Sequence, residues 1–374
     1  MKKFLLGVFI FVLVFTLLGC SSKKGPIPDN DKPTPDDDPK PMDRYLYALN
    51  SRLNQLFIFK INNTTGELEK SPSANTDQEP RCVVVHPDRN HLFVCTNLTN
   101  RIYDYIDIFE IDGNNGSVHL IKTIQLQQPN VDPREMVFTL DGKYLCVIHP
   151  DKRLFSIYRV DLSNYSLKLV TTINTTYAPK AIAVSSNGYI YLSIEGQNTL
   201  ADNGKVLIYK ISADGSVSNK GEVATEIQPI DIELNKAGTQ LYVANFTSRS
   251  LMVFAVDESD GLLTHKNTYT GEAGTVRSLA VAPKDDFVFA GSSAFGINAY
   301  AANGSELTLI EGSPFDDQAT AAYSLAVDPS GRFLYVGQGY SGEYARVDAY
   351  TIEATGGLTL INIYQAGGTW VTIR

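Results

Sequence analysis

The sequence predicts an all-β protein, a seven-bladed β-propeller with four antiparallel strands in each blade. A short strand pattern resembling Leu-Tyr-Val recurs at intervals of 45 to 53 residues, the range typical of propeller blades. Its central residues are Tyr47, Phe93, Cys146, Tyr191, Tyr242, Phe289 and Tyr335. The composition, with 20 Tyr, 17 Phe and 28 Gly, favours strands and turns over helices. The last residues of the chain match an inner strand that has no partner of its own.

Residues 1–19 predict a lipoprotein signal peptide. Lys2 and Lys3 precede an apolar run from Phe4 to Leu18, as in a secretory signal. The run is nearly long enough for a short transmembrane anchor, which is the alternative. Leu17-Leu18-Gly19-Cys20 resembles the bacterial lipobox, which favours cleavage before Cys20 and lipidation of that residue. We therefore expect a cell-envelope protein held to a membrane by its N-terminal lipid, on the periplasmic or the outer-membrane face.

Residues 20–43 predict a tether between the lipid and the folded part. Six prolines and the run Asp36-Asp37-Asp38 favour an extended, semi-rigid chain and exclude a helix. The propeller is expected to occupy residues 44–374.

Each blade is predicted from the same series of strands. An apolar inner strand leads through a tight turn into the recurring strand, and a third strand and a more polar fourth strand follow. The rising polarity suits a blade whose outer edge meets water. The first copy begins at Arg44 and lacks an inner strand, whereas Ile373 lies one blade length after Val327. The C-terminal strand is therefore expected to complete the first blade and close the ring.

The charge balance argues against nucleic-acid binding. The chain has 32 basic and 41 acidic residues, a net charge of −9, and so lacks the basic surplus that phosphate neutralisation requires.

Phosphate loops, dinucleotide fingerprints and nucleophile elbows are absent from the sequence. The five histidines show no metal-ligand spacing, so neither a metal site nor a cofactor is expected. A monomer is expected.

The inner strands predict a basic ring at one mouth of the central channel. The seven strands were aligned on their last apolar residue, and the residues four positions earlier should meet at that mouth. They are Arg81, Arg134, Lys180, Ile230, Arg277, Tyr323 and Thr369. Four of the seven are basic, and convergent cations in a concave site attract carboxylates or phosphates. The alternative is ordinary strand-start residues paired with nearby acids, among them a Lys180–Glu195 salt bridge.

A second group of polar residues is expected at the same face. These residues follow the recurring strands, and we interpret them as candidate ligand-binding positions beside the ring. They are Asn97, His149, Glu195, Asn245 and Ser292.

Several strings of the sequence resemble the lactonase-type seven-bladed propellers. They include Pro-Lys-Ala-Ile-Ala-Val, Tyr-Ser-Leu-Ala-Val-Asp-Pro-Ser-Gly-Arg-Phe-Leu-Tyr-Val and the terminal Gly-Thr-Trp-Val. The resemblance covers residues 44–374, and the family includes 6-phosphogluconolactonase and the carboxymuconate-cyclising enzyme. It implies a His, arginines and a Glu at the mouth that bind and open or close a lactone. The corresponding positions here hold Lys180, Ile230, Phe246 and Tyr323.

A similar trio stands one blade earlier and carries the catalytic hypothesis. Opening a lactone requires water activated by a base, and a stabilised oxyanion. Glu195 would be the base, and Arg134 with Lys180 would stabilise the oxyanion.

Two cysteines are expected to face each other. If His86 pairs with His91 across its turn, Cys82 falls opposite Cys95 in an antiparallel hairpin. Outside the cytoplasm such a pair could form a disulfide, and two buried free thiols are the alternative.

The sequence leaves three functions open. The favoured one is a lipid-anchored binding module for a small anion at the channel mouth or for an envelope macromolecule at its rim. A lactone hydrolase outside the cytoplasm is the second, and a structural scaffold is the third. Whether the protein is an enzyme stays open at this point.

Overall fold

The predicted repeats fold as seven four-stranded antiparallel sheets, one for each blade of the ring. The computed structural model describes residues 43–76, 79–97, 103–129, 131–197, 203–270, 275–293, 296–315, 321–339, 345–365 and 370–374. Within these ranges the protein is a seven-bladed β-propeller, which confirms the predicted fold. The proposed signal peptide, Cys20 and the tether up to residue 42 lie outside the described residues.

Every blade contains an inner, a second, a third and an outer strand. The inner strands, from the first blade to the seventh, are β28 (Trp370–Ile373), β4 (Pro80–Val85), β8 (Glu135–Phe138), β12 (Pro179–Val184), β16 (Pro229–Leu234), β20 (Val276–Val281) and β24 (Ala322–Val327). The second strands are β1 (Arg44–Asn50), β5 (His91–Thr96), β9 (Tyr144–His149), β13 (Tyr189–Ile194), β17 (Gln240–Asn245), β21 (Phe287–Ser292) and β25 (Phe333–Gln338). The third strands are β2 (Gln55–Ile61), β6 (Tyr103–Ile111), β10 (Leu154–Asp161), β14 (Lys205–Ile211), β18 (Ser250–Val256), β22 (Ile297–Asn303) and β26 (Arg346–Ile352). The outer strands are β3 (Leu68–Asn75), β7 (Val118–Pro129), β11 (Ser166–Asn174), β15 (Val217–Ala224), β19 (Leu263–Thr270), β23 (Glu306–Leu309) and β27 (Leu358–Gln365).

The last strand of the chain closes the ring, as predicted. Strand β28 pairs antiparallel with β1, with Leu46 opposite Ile373 and Ala48 opposite Val371. The backbone N–H of Arg374 also donates to the carbonyl of Tyr45 (3.0 Å). The first blade therefore takes three strands from the start of the propeller and one from its end, so that its inner edge is paired.

The tyrosine of the recurring strand joins neighbouring blades. The hydroxyl of Tyr191 in the fourth blade donates to the carbonyl of Gly261 in the fifth (3.0 Å), and Tyr47 bonds to Gly116 in the same way (2.9 Å). Gly261 has φ = +77°, and a Cβ there would overlap the ring of Tyr189. Glycine at this turn is therefore required both by backbone conformation and by close packing.

The strands form one compact unit, Asp43–Arg374, in which consecutive inner strands contact each other around the ring. Because every blade repeats the same strand order, the first residues of the inner strands meet at one end of the channel. The outer strands carry mostly exposed or half-buried side chains, as the polarity of the fourth strands predicts. In the part of the chain that the structure describes, helices with the length and apolarity for a membrane crossing are absent.

Candidate functional site

A cavity of about 860 Å³ lies where the inner strands begin. The structure brings together around it the six described residues of the predicted ring. They are Arg81, Arg134, Lys180, Ile230, Arg277 and Tyr323. The seventh, Thr369, lies outside the described residues. The strand alignment thus identified residues that come from six different blades but line one cavity.

Three of the four ring cations form ion pairs with nearby acidic residues. This is the arrangement expected if they are ordinary strand-start residues. Nη2 of Arg81 lies 3.0 Å from Oε2 of Glu79, and Nε of Arg134 lies 2.7 Å from Oδ2 of Asp132. Nζ of Lys180 lies 2.9 Å from Oε2 of Glu195. The local field of these three cations is therefore largely compensated.

Arg277 has a different environment from the other three cations. Its guanidinium carbon lies 4.1 Å from the ring centroid of Tyr323 and 5.8 Å from that of Phe246. None of the acidic residues that the structure describes forms an ion pair with it. Stacking of this kind holds a guanidinium by its faces and leaves the N–H groups at its edge pointing outward.

The second group of predicted residues does not line the cavity. His149 and Asn245 are completely buried behind it, and the amide of Asn245 donates to Oγ of Ser250 (3.2 Å). The side-chain amide of Asn97 donates to the carboxylate of Asp132. Burial lowers the pKa of His149 to about 4, so the ring is neutral at physiological pH. Glu195 reaches the site through its contact with Lys180.

Three carboxyl groups deeper in the cavity were missed by the sequence reasoning. Glu135 accepts a hydrogen bond from the backbone N–H of Ile182 in the next blade (3.3 Å). Asp231 accepts one from the N–H of Leu279 (2.7 Å), again in the next blade. The carboxyl of Glu233 has no hydrogen-bond partner among the described residues, although its backbone is paired with β17. The sequence does contain a signal for these carboxyl groups, because acidic residues interrupt inner strands that are otherwise apolar.

Enclosure in the channel disfavours the charged form of these carboxyls. Burial raises the pKa of Asp231 to about 7. Burial, and secondarily the Asp231 carboxylate, raises the pKa of Glu233 to about 8. The same two causes hold the pKa of Glu135 well above its ordinary value. The floor of the cavity therefore changes charge near neutral pH.

The predicted cysteine pair is present in the hairpin of β4 and β5. Cys82 is paired in register with Cys95, and the two Sγ atoms lie 3.3 Å apart. Both thiols are free and completely buried, as is Cys146. Burial holds the pKa of Cys82 well above its ordinary value, which disfavours the reactive thiolate.

The turn before β5 groups three potential metal ligands that the spacing of the histidines did not indicate. Ligand atoms of His86, Asp88 and His91 lie within 4.8 Å of one another. The backbone N–H of Asp88 bonds to Nδ1 of His86 (3.2 Å), and Nδ1 of His91 lies 2.6 Å from Oδ2 of Asp88. Nε2 of His86 lies 3.1 Å from the carbonyl of Gly142. Internal hydrogen bonds thus account for these ring nitrogens without a metal ion.

The fold and the cavity define a seven-bladed propeller with a polar site at one mouth of its channel. A family model described as "Lactonase, 7-bladed beta-propeller" matches residues 83–179 and 167–278, more than half of the chain. The chain belongs to this lactonase family of seven-bladed propellers.

A 6-phosphogluconolactonase from Enterobacter sp. (strain 638) is 21% identical over 203 residues. The match covers 52% of this chain and 59% of that protein, so it spans little more than half of the relative's length.

Solved structures share the fold at lower identity. A periplasmic gluconolactonase from Pseudomonas aeruginosa superimposes with a TM-score of 0.74 at 17% identity, covering 89% of this chain and 98% of that one. A proposed 6-phosphogluconolactonase from Bacteroides fragilis gives a TM-score of 0.76 at 15% identity, covering 92% and 100%. At this level of identity the likeness concerns the fold alone.

Proposed function

We propose that this protein binds a small anionic ligand in the cavity at the mouth of its central channel. The observation that carries the proposal is the convergence of the four ring cations on one cavity in a protein of net charge −9, with Arg277 free of an ion pair to any acidic residue that the structure describes. The four ring cations are Arg81, Arg134, Lys180 and Arg277. A concave site lined by cations attracts anions, because the low-dielectric walls focus the electric field.

The size and the donors of the cavity suit this function. A volume of about 860 Å³ lies within the range of small-molecule sites. Arg81 uses Nη2 for Glu79, and its buried Nε has no hydrogen-bond acceptor among the described residues. A buried donor without an acceptor is costly, and a ligand oxygen would satisfy it.

We also propose that the propeller is exported and anchored to a membrane through lipidated Cys20. The charged start, the apolar run and the lipobox-like sequence support this, as does the proline-rich tether. Mass spectrometry of the N-terminal peptide, with Cys20→Ser as the control, tests it. A mature wild-type chain that begins at Cys20 with added acyl mass is expected, and an uncleaved N-terminus would overturn the proposal.

Hydrolysis of a lactone is the second candidate function, and membership of the lactonase family favours it. The carboxylate of Glu195 would take a proton from water as the water oxygen attacks the lactone carbonyl. Arg134 and Lys180 would stabilise the oxyanion. As the acyl C–O bond of the ring breaks, Glu195 would return its proton to the leaving oxygen, which gives the hydroxy acid and restores the carboxylate. Glu233, whose carboxyl lines the cavity, is the alternative base within this mechanism.

Calorimetry and a hydrolysis assay on the purified protein test the two functions together. Small carboxylates and phosphates are titrated, and sugar and carboxylated lactones are followed by proton release. We expect anion binding that an Arg134→Ala/Lys180→Ala variant weakens. Turnover that is lost in the same variant would make the protein a hydrolase, and binding without turnover would make it a binding module. The absence of both would contradict the proposal.

A further inference from the structure

The cavity has two unlike sides. The second, third and fourth blades supply Arg81, Arg134 and Lys180, each paired with an acid. The fifth, sixth and seventh blades supply Arg277 and the carboxyls of Asp231 and Glu233, together with a group of apolar and aromatic side chains. This apolar group consists of Ile230, Phe246, Leu279, Tyr323 and Leu325.

Arg277 is the ring cation best prepared to receive an oxyanion. Its guanidinium is held in a stack, 4.1 Å from the centroid of Tyr323 and 5.8 Å from that of Phe246. None of the acidic residues in the described ranges neutralises it. A fixed guanidinium presents two parallel N–H groups that match the two oxygens of a carboxylate. Little side-chain entropy is lost when such a group binds.

The charge of the cavity limits the charge of the ligand. Among the described residues that line it, five are basic (Arg52, Arg81, Arg134, Lys180 and Arg277) and five are acidic (Glu79, Glu135, Asp151, Asp231 and Glu233). Arg52 stands on an exposed turn, where water screens it. A carboxylate has one negative charge, whereas a phosphate monoester has about 1.5 to 2 near pH 7. Among the described residues that line it, the cavity holds one ring cation without an acidic partner, Arg277, and three carboxyl groups without a basic partner. It therefore suits a carboxylate better than the more highly charged phosphate.

We propose that Arg277 anchors the carboxylate of a singly charged ligand whose apolar or ring-shaped body lies against Ile230, Phe246 and Tyr323. This inference rests on the proposed anion-binding function and names the ligand class of that site. Tyr323 and Phe246 have a second role as positioning residues, because their rings lie against the guanidinium and hold it in place.

Isothermal titration calorimetry of the full chain in detergent tests the inference. The probes are benzoate, gluconate and inorganic phosphate at low salt. We expect benzoate to bind roughly tenfold or more tightly than gluconate or phosphate. Arg277→Lys keeps the positive charge but removes the two parallel N–H donors. It should reduce the affinity for benzoate roughly tenfold or more. Arg159→Lys, at an exposed position of β10 outside the cavity lining, is the matched control, and benzoate affinity should change less than about twofold.

The aromatic neighbours supply a second readout that does not alter any charge. Tyr323→Phe keeps the ring and should retain benzoate affinity, whereas Tyr323→Leu should weaken it. Circular dichroism and thermal unfolding confirm that each variant is folded.

Two results would overturn the inference and leave the anion-binding function standing. One is tighter binding of phosphate than of benzoate, and the other is an unchanged benzoate affinity in Arg277→Lys. Failure of all three probes to bind would overturn both.

Discussion

Nζ of Lys180 and Oε2 of Glu195 form an ion pair at 2.9 Å, and both side chains are only partly exposed. The pair joins the inner and second strands of the fourth blade at the mouth of the channel. It unites the two residues to which the sequence assigns a base and an oxyanion partner. The same contact is also what a purely structural salt bridge requires, so activity measurements must separate the two roles.

Glu195→Gln separates them, because it keeps the shape of the side chain and a hydrogen-bond acceptor but removes the base. If Glu195 activates water, lactone turnover (kcat) should fall at least about 10²-fold with KM nearly unchanged. A structural pair would leave kcat within a few fold of the wild-type value. Glu233→Gln is the companion variant, and a loss of kcat confined to it would move the base to the channel floor.

Anion binding should weaken as the pH rises through neutrality. Asp231 and Glu233 have pKa values of about 7 and about 8, so they gain negative charge between about pH 6 and about pH 9. The repulsion between these carboxylates and a bound anion should reduce benzoate affinity by roughly tenfold over that range. Calorimetry at several pH values checks this. An Asp231→Asn/Glu233→Gln variant should bind benzoate with nearly constant affinity, and an equally steep decline in that variant would contradict the prediction.

The same carboxyls should make folding stability depend on pH. Their pKa values in the folded protein lie above the ordinary 3.8 and 4.5, so the folded state holds protons that the unfolded chain releases. The free energy of unfolding due to them therefore falls as the pH rises from about 4 to about 8. Urea unfolding at about pH 5 and about pH 8.5 should show a smaller decline in Glu233→Gln than in the wild type. Glu306→Gln, on the outer strand β23, is the control and should leave the decline unchanged.

The glycine at the turn between β18 and β19 should be far less tolerant of substitution than another glycine of similar backbone conformation. Gly261 has φ = +77° and lies against Tyr189, whereas Gly238 has φ = +75° and open space around it. Gly238→Ala should cost about 1 kcal/mol through backbone strain. Gly261→Ala should cost about 1–3 kcal/mol more, since the added methyl group must displace a packed ring. Equal losses in urea unfolding would contradict this packing role.

We expect the cysteines to be reduced in the folded protein, including under the oxidising conditions that the proposed export would bring. Cys82, Cys95 and Cys146 are free, and direct cross-strand pairs strain a disulfide. Alkylation of the denatured chain without a reductant should therefore label all three. Labelling of Cys146 alone, with recovery of Cys82 and Cys95 after reduction, would show a bridge between β4 and β5.

The inner strands show which site positions a sequence repeat predicts correctly and which it does not. Aligning them placed Arg81, Arg134 and Lys180 at one mouth, because each blade repeats the same backbone and equivalent positions must lie at equivalent depths. The position of Asn97, His149 and Asn245 after the recurring strands predicted that they would reach the same face, but the last two are completely buried and none of the three lines the cavity. Side-chain direction at a strand end depends on the following loop, which differs from blade to blade.

The sequence by itself determined the number of blades, their strand order, closure by the terminal strand and the positions that meet at the channel mouth. These are properties of a repeating one-dimensional pattern of apolar residues and turns. Only the tertiary structure decided which cations are compensated and which is not. Arg277, Tyr323 and Phe246 come from the sixth, seventh and fifth blades, and Asp231 meets Leu279 across a blade boundary. Stacking, ion pairing and desolvation depend on distances between such separate segments, and those distances exist only once the ring has closed.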